Sequence, residues 1–144
     1  MLPTLSLDGI LHPKVLENAI TGEDFQHFVE GLLPRMNKWP LPNSVLVIDN
    51  MAIHKVEGIR EMVEEQGSRL LYLPMYSLDY NLIENTFSSI KSWLRSNRDH
   101  VNLELNSVDG TVYNIFWKAI HSITADDSKG WFKLCGYHEV LGKV

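Results

Sequence analysis

SVLVIDNMAIHKVEGIREMVEEQGSRLLYLPMYSLDYNLIENTFSSIKSWLRSNR, the stretch from Ser44 to Arg98, sets the architecture. It opens with Val45-Leu46-Val47-Ile48, a β-branched apolar run without alternation, which predicts a strand covered on both faces. The run stops at a carboxylate and an amide, Asp49-Asn50. From about His54 to Gln66, Val56, Ile59, Met62 and Val63 share one helical face. Gly67 then stands where a left-handed cap would end a helix. Leu70 to Leu73 reads as a second strand, stopped by Pro74. A single helix between two strands fits a right-handed parallel crossover. After the turn-rich segment Pro74 to Asn81, Ile83, Phe87, Ile90 and Leu94 form the apolar stripe of a helix whose second or third residue is Glu84. Trp93 lies at the stripe's margin. The layout is strand, acid, helix, strand, loop, acid on a helix.

On the N-terminal side of this block, Thr4 to His12 alternates and then bends at Asp8-Gly9, reading as one strand or two short ones. Thr21-Gly22-Glu23-Asp24 resembles a helix start, and Phe25, Phe28, Val29, Leu32 and Leu33 recur as one apolar face before Pro34. Asn37 to Asn43, with two prolines, connects. On the C-terminal side, residues 97–106 lead into a further amphipathic helix carrying Val108, Val112, Ile115, Phe116, Ala119 and Ile123. Ala125 to Tyr137 reads as a short acid-capped helix ending near Gly136.

The 144 residues fit one domain with a real core. Their formal net charge of −5 argues against a stand-alone DNA-binding module, which is usually basic. It is compatible with an enzyme whose carboxylates require a divalent cation. The one cysteine, Cys135, forms neither an internal disulfide nor a zinc site, so a reducing intracellular setting is expected, nuclear in a eukaryote. No apolar run approaches the roughly 18 residues that span a bilayer, and the N-terminus lacks the pattern of a secretion signal.

In open α/β sheets functional groups collect beyond the carboxyl ends of strands, where Asp49 lies. Asp49 also suits a cap for the turn after its strand. Glu84 gains from the helix dipole in a first turn. Its helical position also aligns it with Ser88, Lys91 and Arg95, a cationic stripe along which a phosphodiester backbone could lie. Two carboxylates brought together repel unless one is protonated or a cation bridges them. Mg²⁺ prefers oxygen ligands, and paired ions of this kind activate the attacking and leaving oxygens at phosphorus. Such a site normally needs a third acid, and no other acid is marked out by position.

The segments VLVIDNMAIH and LLYLPMYSLDYNLIEN, with SIKSWL on the next helix, resemble the DDE superfamily of endonucleases, in particular mariner-like transposases. That family carries strand-Asp-Asn with a His shortly after, then a Leu-Pro-Pro-Tyr-Ser-Pro-Asp-x-Asn-Pro-Ile-Glu block. The 34 residues between Asp49 and Glu84 match its spacing. The likeness covers at least Leu5 to Arg95, and KGWFKLCGY is similar to the segment after the core in some members.

The resemblance implies an α/β fold with an RNase H-like core, a mixed sheet flanked by helices, lacking its first strands and followed by a helical C-terminal tail. Residues 1–100 would be a partial catalytic domain and 101–144 its helical extension. Asp49 and Glu84 would be the second and third catalytic acids and the ligands of Mg²⁺ or Mn²⁺. Asn50, His54 and Asn81 would support the site, while Lys91, Arg95 and Arg98 would contact DNA. For His54 a polar residue in a first helical turn is an equal alternative. Tyr76-Ser77 would be a structural turn. No Gly-x-Ser-x-Gly elbow of a serine hydrolase is present. The expected partners are DNA, transposon ends in the family, and a second copy of the chain.

The family's first acid lies on a strand upstream of the one that Leu5 to Leu11 matches, so these residues are expected to lack it. Asp8 matches a hairpin aspartate instead, and the helix-turn-helix region is missing. Met75, Leu78 and Leu82 replace family prolines, each loosening a loop by about 0.4–1 kcal/mol. The expected function is therefore a DDE-type fragment, ancestrally cutting and joining DNA and inactive alone. Its alternative is a non-catalytic RNase H-like remnant that binds nucleic acid or protein. A third reading is an unrelated parallel α/β fold in which both acids are merely caps.

Overall fold

The computed structural model describes residues 1–51, 57–108 and 111–137. Its elements run β1 (Leu2–Ser6), β2 (Gly9–Lys14), α1 (Gly22–Leu32), β3 (Val45–Ile48), α2 (Ile59–Glu65), β4 (Arg69–Tyr72), α3 (Ile83–Ser96), α4 (Arg98–Leu105), α5 (Val112–His121) and α6 (Ala125–Leu134). The fold is α/β with a helical C-terminal part. Among the described residues the strands form two two-stranded sheets, β1–β2 and β3–β4. The chain divides into two compact units, residues 1–2 with 16–81, and residues 3–15 with 82–144.

In the first unit, Thr21 caps α1 in a reciprocal box. Its hydroxyl accepts the Asp24 N–H, and Asp24 accepts the Thr21 N–H at 3.0 Å. The expected face of α1 is the core: Phe25, Phe28, Val29, Leu32 and Leu33 are all buried. A 3-10 turn at Leu33–Arg35 holds Pro34. α2 adds Ile59 and Val63, both wholly buried. It starts later than its apolar pattern suggests, because Gly58 has φ +90° and breaks the backbone just before Ile59. Val56, expected on this face, lies outside the described residues. Gly67, at φ +89°, ends the helix as its position predicts.

β3 and β4 pair in parallel, Val45 opposite Arg69 and Ile48 opposite Tyr72. The ladder runs on through Leu73, whose N–H donates to the Ile48 carbonyl at 2.8 Å. The expectation that β3 is covered on both faces does not hold. Leu46 and Leu70 are buried, whereas Val45 is 37% and Leu71 is 53% exposed. In register, Val45 and Leu71 lie on one face of the pair and Leu46 and Leu70 on the other, so the exposure is that of one open face.

The loop from Asn37 to Asn43 is fastened to the α2–β4 turn. The Trp39 N–H donates to the Gly67 carbonyl at 2.9 Å, and the Ser68 hydroxyl donates to the Asn37 carbonyl at 2.9 Å. The Arg69 guanidinium lies 4.3 Å from the centroid of the Trp39 ring.

In the second unit, β1 and β2 form a hairpin that turns at Leu7-Asp8. Gly9, at φ +110°, makes that turn, and the Ser6 hydroxyl donates to its carbonyl at 3.1 Å. The buried Ser128 of α6 donates to the Ser6 carbonyl, tying helix to hairpin. In α3, Thr86 and Ile90 are buried, and Ile83, Phe87, Trp93 and Leu94 are partly so. Ile115, Ala119, Ile120 and Ile123 are buried in and after α5, but Val108 precedes the helix and is fully exposed.

α4 occupies a segment with no apolar period and buries no residue. Polar ties to α5 hold it. Lys118 Nζ lies 2.9 Å from Glu104 Oε2 and 3.1 Å from His100 Nε2. The Lys118 ammonium and then the Asn114 amide, both donating to Glu104, hold its carboxyl below the usual range.

Thr124 caps α6 with a second reciprocal box. Its hydroxyl and its N–H both donate to Asp127, at 2.7 and 2.9 Å. These bonds hold the Asp127 carboxyl below the usual aspartate range. A depressed folded-state pKa means that this contribution is present above the unfolded value and is lost as pH falls through the folded one. Thr124→Ala is expected to cost about 0.5–2 kcal/mol in urea unfolding at neutral pH. That difference should shrink below the usual aspartate pKa; a loss constant from neutral to strongly acid pH would show that the box is not its source.

Candidate functional site

Asp49 comes directly after the last residue of β3, at the carboxyl end of the parallel pair, because Ile48 is fixed by Tyr72 in register and by the Leu73 N–H. It is half-buried, as is Asn50. Asp49 Oδ1 accepts the Met51 N–H at 3.2 Å, so the residue makes the turn bond that its position also suggested. That bond takes one of the roughly four acceptor positions of a carboxylate. His54 lies outside the described residues.

The segment after β4 is a turn. Ser77 donates from its hydroxyl to the Pro74 carbonyl, the Tyr80 N–H donates to the Ser77 carbonyl at 3.1 Å, and Leu78–Tyr80 form a 3-10 turn. Tyr76 sits at φ +61° with its ring fully exposed. Ser77 therefore serves the turn, and no His or acid activates it among the hydrogen bonds described. Asn81 is half-buried.

Glu84 is the second residue of α3 and the acid of its first turn, on a helix whose N-cap, Leu82, makes no side-chain cap bond. It is exposed. Ser88, Lys91 and Arg95 lie further along the same face and are exposed too, as is Arg98 at the start of α4. Asp49, Asn50 and Asn81 belong to the first unit and Glu84, Lys91, Arg95 and Arg98 to the second. Asp8 lies at the exposed tip of the hairpin, where its N–H donates to the Ser6 hydroxyl at 3.2 Å; that is a turn residue. Among the described residues no three His, Cys, Asp or Glu side chains are gathered to hold a metal ion. The donor types at Asp49, Asn50 and Glu84 are all oxygen, the chemistry a hard divalent ion selects.

One cluster of chemistry was not visible in the sequence. Trp39 and Arg69, and Arg60 with its guanidinium 5.6 Å from the Tyr72 ring centroid, come from separate segments joined by folding alone. No spacing rule links residues 30 positions apart across two loops.

A family model for DDE superfamily endonucleases matches residues 1–105. The chain belongs to that family. No curated protein and no solved structure matches it. Among the described residues no helix is long and apolar enough to cross a membrane.

Proposed function

We propose that this chain is the catalytic-domain portion of a DDE-type transposase or endonuclease with an RNase H-like core, residues 1–100, and a helical extension, residues 101–144. Its ancestral reaction is divalent-metal-dependent cleavage and strand transfer at DNA phosphodiesters, in an intracellular, nucleus-associated setting. The observation that carries the reading is the pair of acids at family positions within the matched segment: Asp49 directly after a parallel strand and Glu84 in the first turn of the next long helix.

Asp49 and Glu84 hold Mg²⁺ or Mn²⁺ through oxygen. The bound ion would polarise a phosphoryl oxygen and lower the pKa of an attacking water. The protein's own part is positional. The β3–β4 ladder fixes the Asp49 backbone, and the amide side chains of Asn50 and Asn81, with His54, orient the substrate. The exposed Lys91, Arg95 and Arg98 contact successive phosphates. If they do, replacing Lys91 and Arg95 together reduces the slope of log affinity against log salt by about two, measured by titration with duplex DNA. An unchanged slope rejects the stripe.

The alternative reading is a non-catalytic RNase H-like remnant that binds nucleic acid or protein. On that reading these 144 residues nick DNA at or near background. Efficient Mg²⁺-dependent nicking that disappears in Asp49→Asn or Glu84→Gln would defeat this expectation.

A further inference from the structure

We propose that the groove at the amino end of the β3–β4 pair, built on Trp39, Arg60 and Arg69, is a binding site for single-stranded DNA that does not use Asp49. The groove is lined by Trp39, Arg60, Glu64, Ser68 and Arg69, with Gly67 and Leu70 at its floor. Arg69 pairs in register with Val45, at the opposite end of the strands from Asp49. At about 3.3 Å per residue, the β4 backbone runs roughly 10 Å from Arg69 to Tyr72, which faces the residue before Asp49.

Two features set this groove apart from an ordinary loop surface. The first is a large aromatic side chain held in the open. Trp39 is 46% exposed, yet its backbone is fixed by the Gly67 carbonyl and its loop by the Ser68–Asn37 bond. The loop is closed on itself as well, the Asn37 N–H donating to the Asn43 carbonyl at 3.1 Å. An indole fixed in this way loses little conformational freedom when a ring stacks on it. The second feature is the placement of charge beside that ring. The Arg69 guanidinium lies over the Trp39 ring, and Arg60 lines the same groove. Lys38 adds a third cation, its stem packing 3.1 Å from the position a Gly67 Cβ would take. One carboxylate, Glu64, opposes them, and it is paired with Arg60 at 3.3 Å.

Cations interleaved with aromatic faces suit a ligand that offers phosphate and a flat ring together. Unpaired bases present their faces for stacking, and the backbone supplies the anion, without dependence on sequence. Duplex DNA hides those faces, and an acidic peptide would use the cations but leave the indole unused. The net charge of −5 makes the affinity modest and strongly dependent on salt.

The test is fluorescence anisotropy of a labelled short oligothymidylate titrated with the full chain at low salt. Trp39→Ala is expected to weaken binding by about tenfold, the scale of one lost base stack, while Trp39→Phe retains most of it. Arg69→Gln and Arg60→Gln should each lower the salt slope by about one. Both change exposed side chains, so they remain informative if Trp39→Ala fails to fold. Leu103→Ala, which changes an exposed side chain of α4 that does not line the groove, should bind like the native chain. Native affinity and slope in both arginine variants would overturn the proposal. Equal affinity for a Glu-rich peptide, or a loss of duplex affinity in Trp39→Ala as large as the loss for the oligothymidylate, would overturn it too.

Discussion

Asp49→Asn and Glu84→Gln are each expected to abolish the rise in melting temperature that Mg²⁺ gives the native chain. A ligand that binds only the folded state stabilises it by RT ln(1 + [L]/Kd), about 1.4 kcal/mol at tenfold excess over Kd. For a protein of this size that is a shift of roughly 3–6 °C, well within reach of scanning calorimetry. The substitutions keep shape and remove charge. The amide oxygen that Asp49→Asn leaves in place can still accept the Met51 N–H, so the turn after β3 survives. Glu84→Gln also forfeits the interaction of an acid with the positive end of α3, about 0.3–1 kcal/mol, which lowers the starting melting temperature separately from the lost response to metal. A native chain indifferent to Mg²⁺ would reduce both acids to caps. A response that survives in both variants would place the ion elsewhere.

The largest effect on stability is expected at Leu32. It is wholly buried at the end of α1, in the core of the first unit, and Leu32→Ala should cost about 2–5 kcal/mol. Against a typical total of about 5–15 kcal/mol, this is a large share of the whole. Leu71→Ala is the control. Leu71 has the same side chain on β4 but is 53% exposed, and its loss should stay within about 0.5 kcal/mol. Urea midpoints of the two variants decide the matter. Equal midpoints would mean that the face of α1 is not the packed core described.

Several periodic and positional signals in the sequence are met in the structure. The α1 face, the Thr21 cap, the Gly67 stop, the β3 and β4 strands and the second-residue position of Glu84 all come from local rules that act within a few residues. Three features escaped those rules. α4 has no apolar stripe, and its stability comes from Lys118, fourteen residues away from Glu104, so periodicity has nothing to detect. The start of α2 is set by the left-handed backbone of Gly58, which a glycine permits without announcing. The open face of β3 reflects what packs on each side of the sheet, a property of the whole fold that an apolar tetrapeptide does not encode.

The candidate site was legible to the same degree. Asp49 stood out at the carboxyl end of an apolar strand, and Glu84 because Lys91 and Arg95 continue along its helix face. The 34-residue separation gave them a family context that the match over residues 1–105 supports. The Trp39–Arg69 stack had no comparable signal. Its two halves meet only because Gly67 and Ser68 fasten the proline-rich loop to the start of β4.

The catalytic reading requires Asp49 and Glu84 to share one divalent ion. Paramagnetic broadening of amide signals, followed as the ¹⁵N-labelled chain is titrated with substoichiometric Mn²⁺, is the sharpest check. Residues around Asn50 and around Asn85 should broaden together, at the same Mn²⁺ concentration, and Asp49→Asn should remove both effects at once. Broadening at one acid that persists when the other is neutralised would contradict a shared ion.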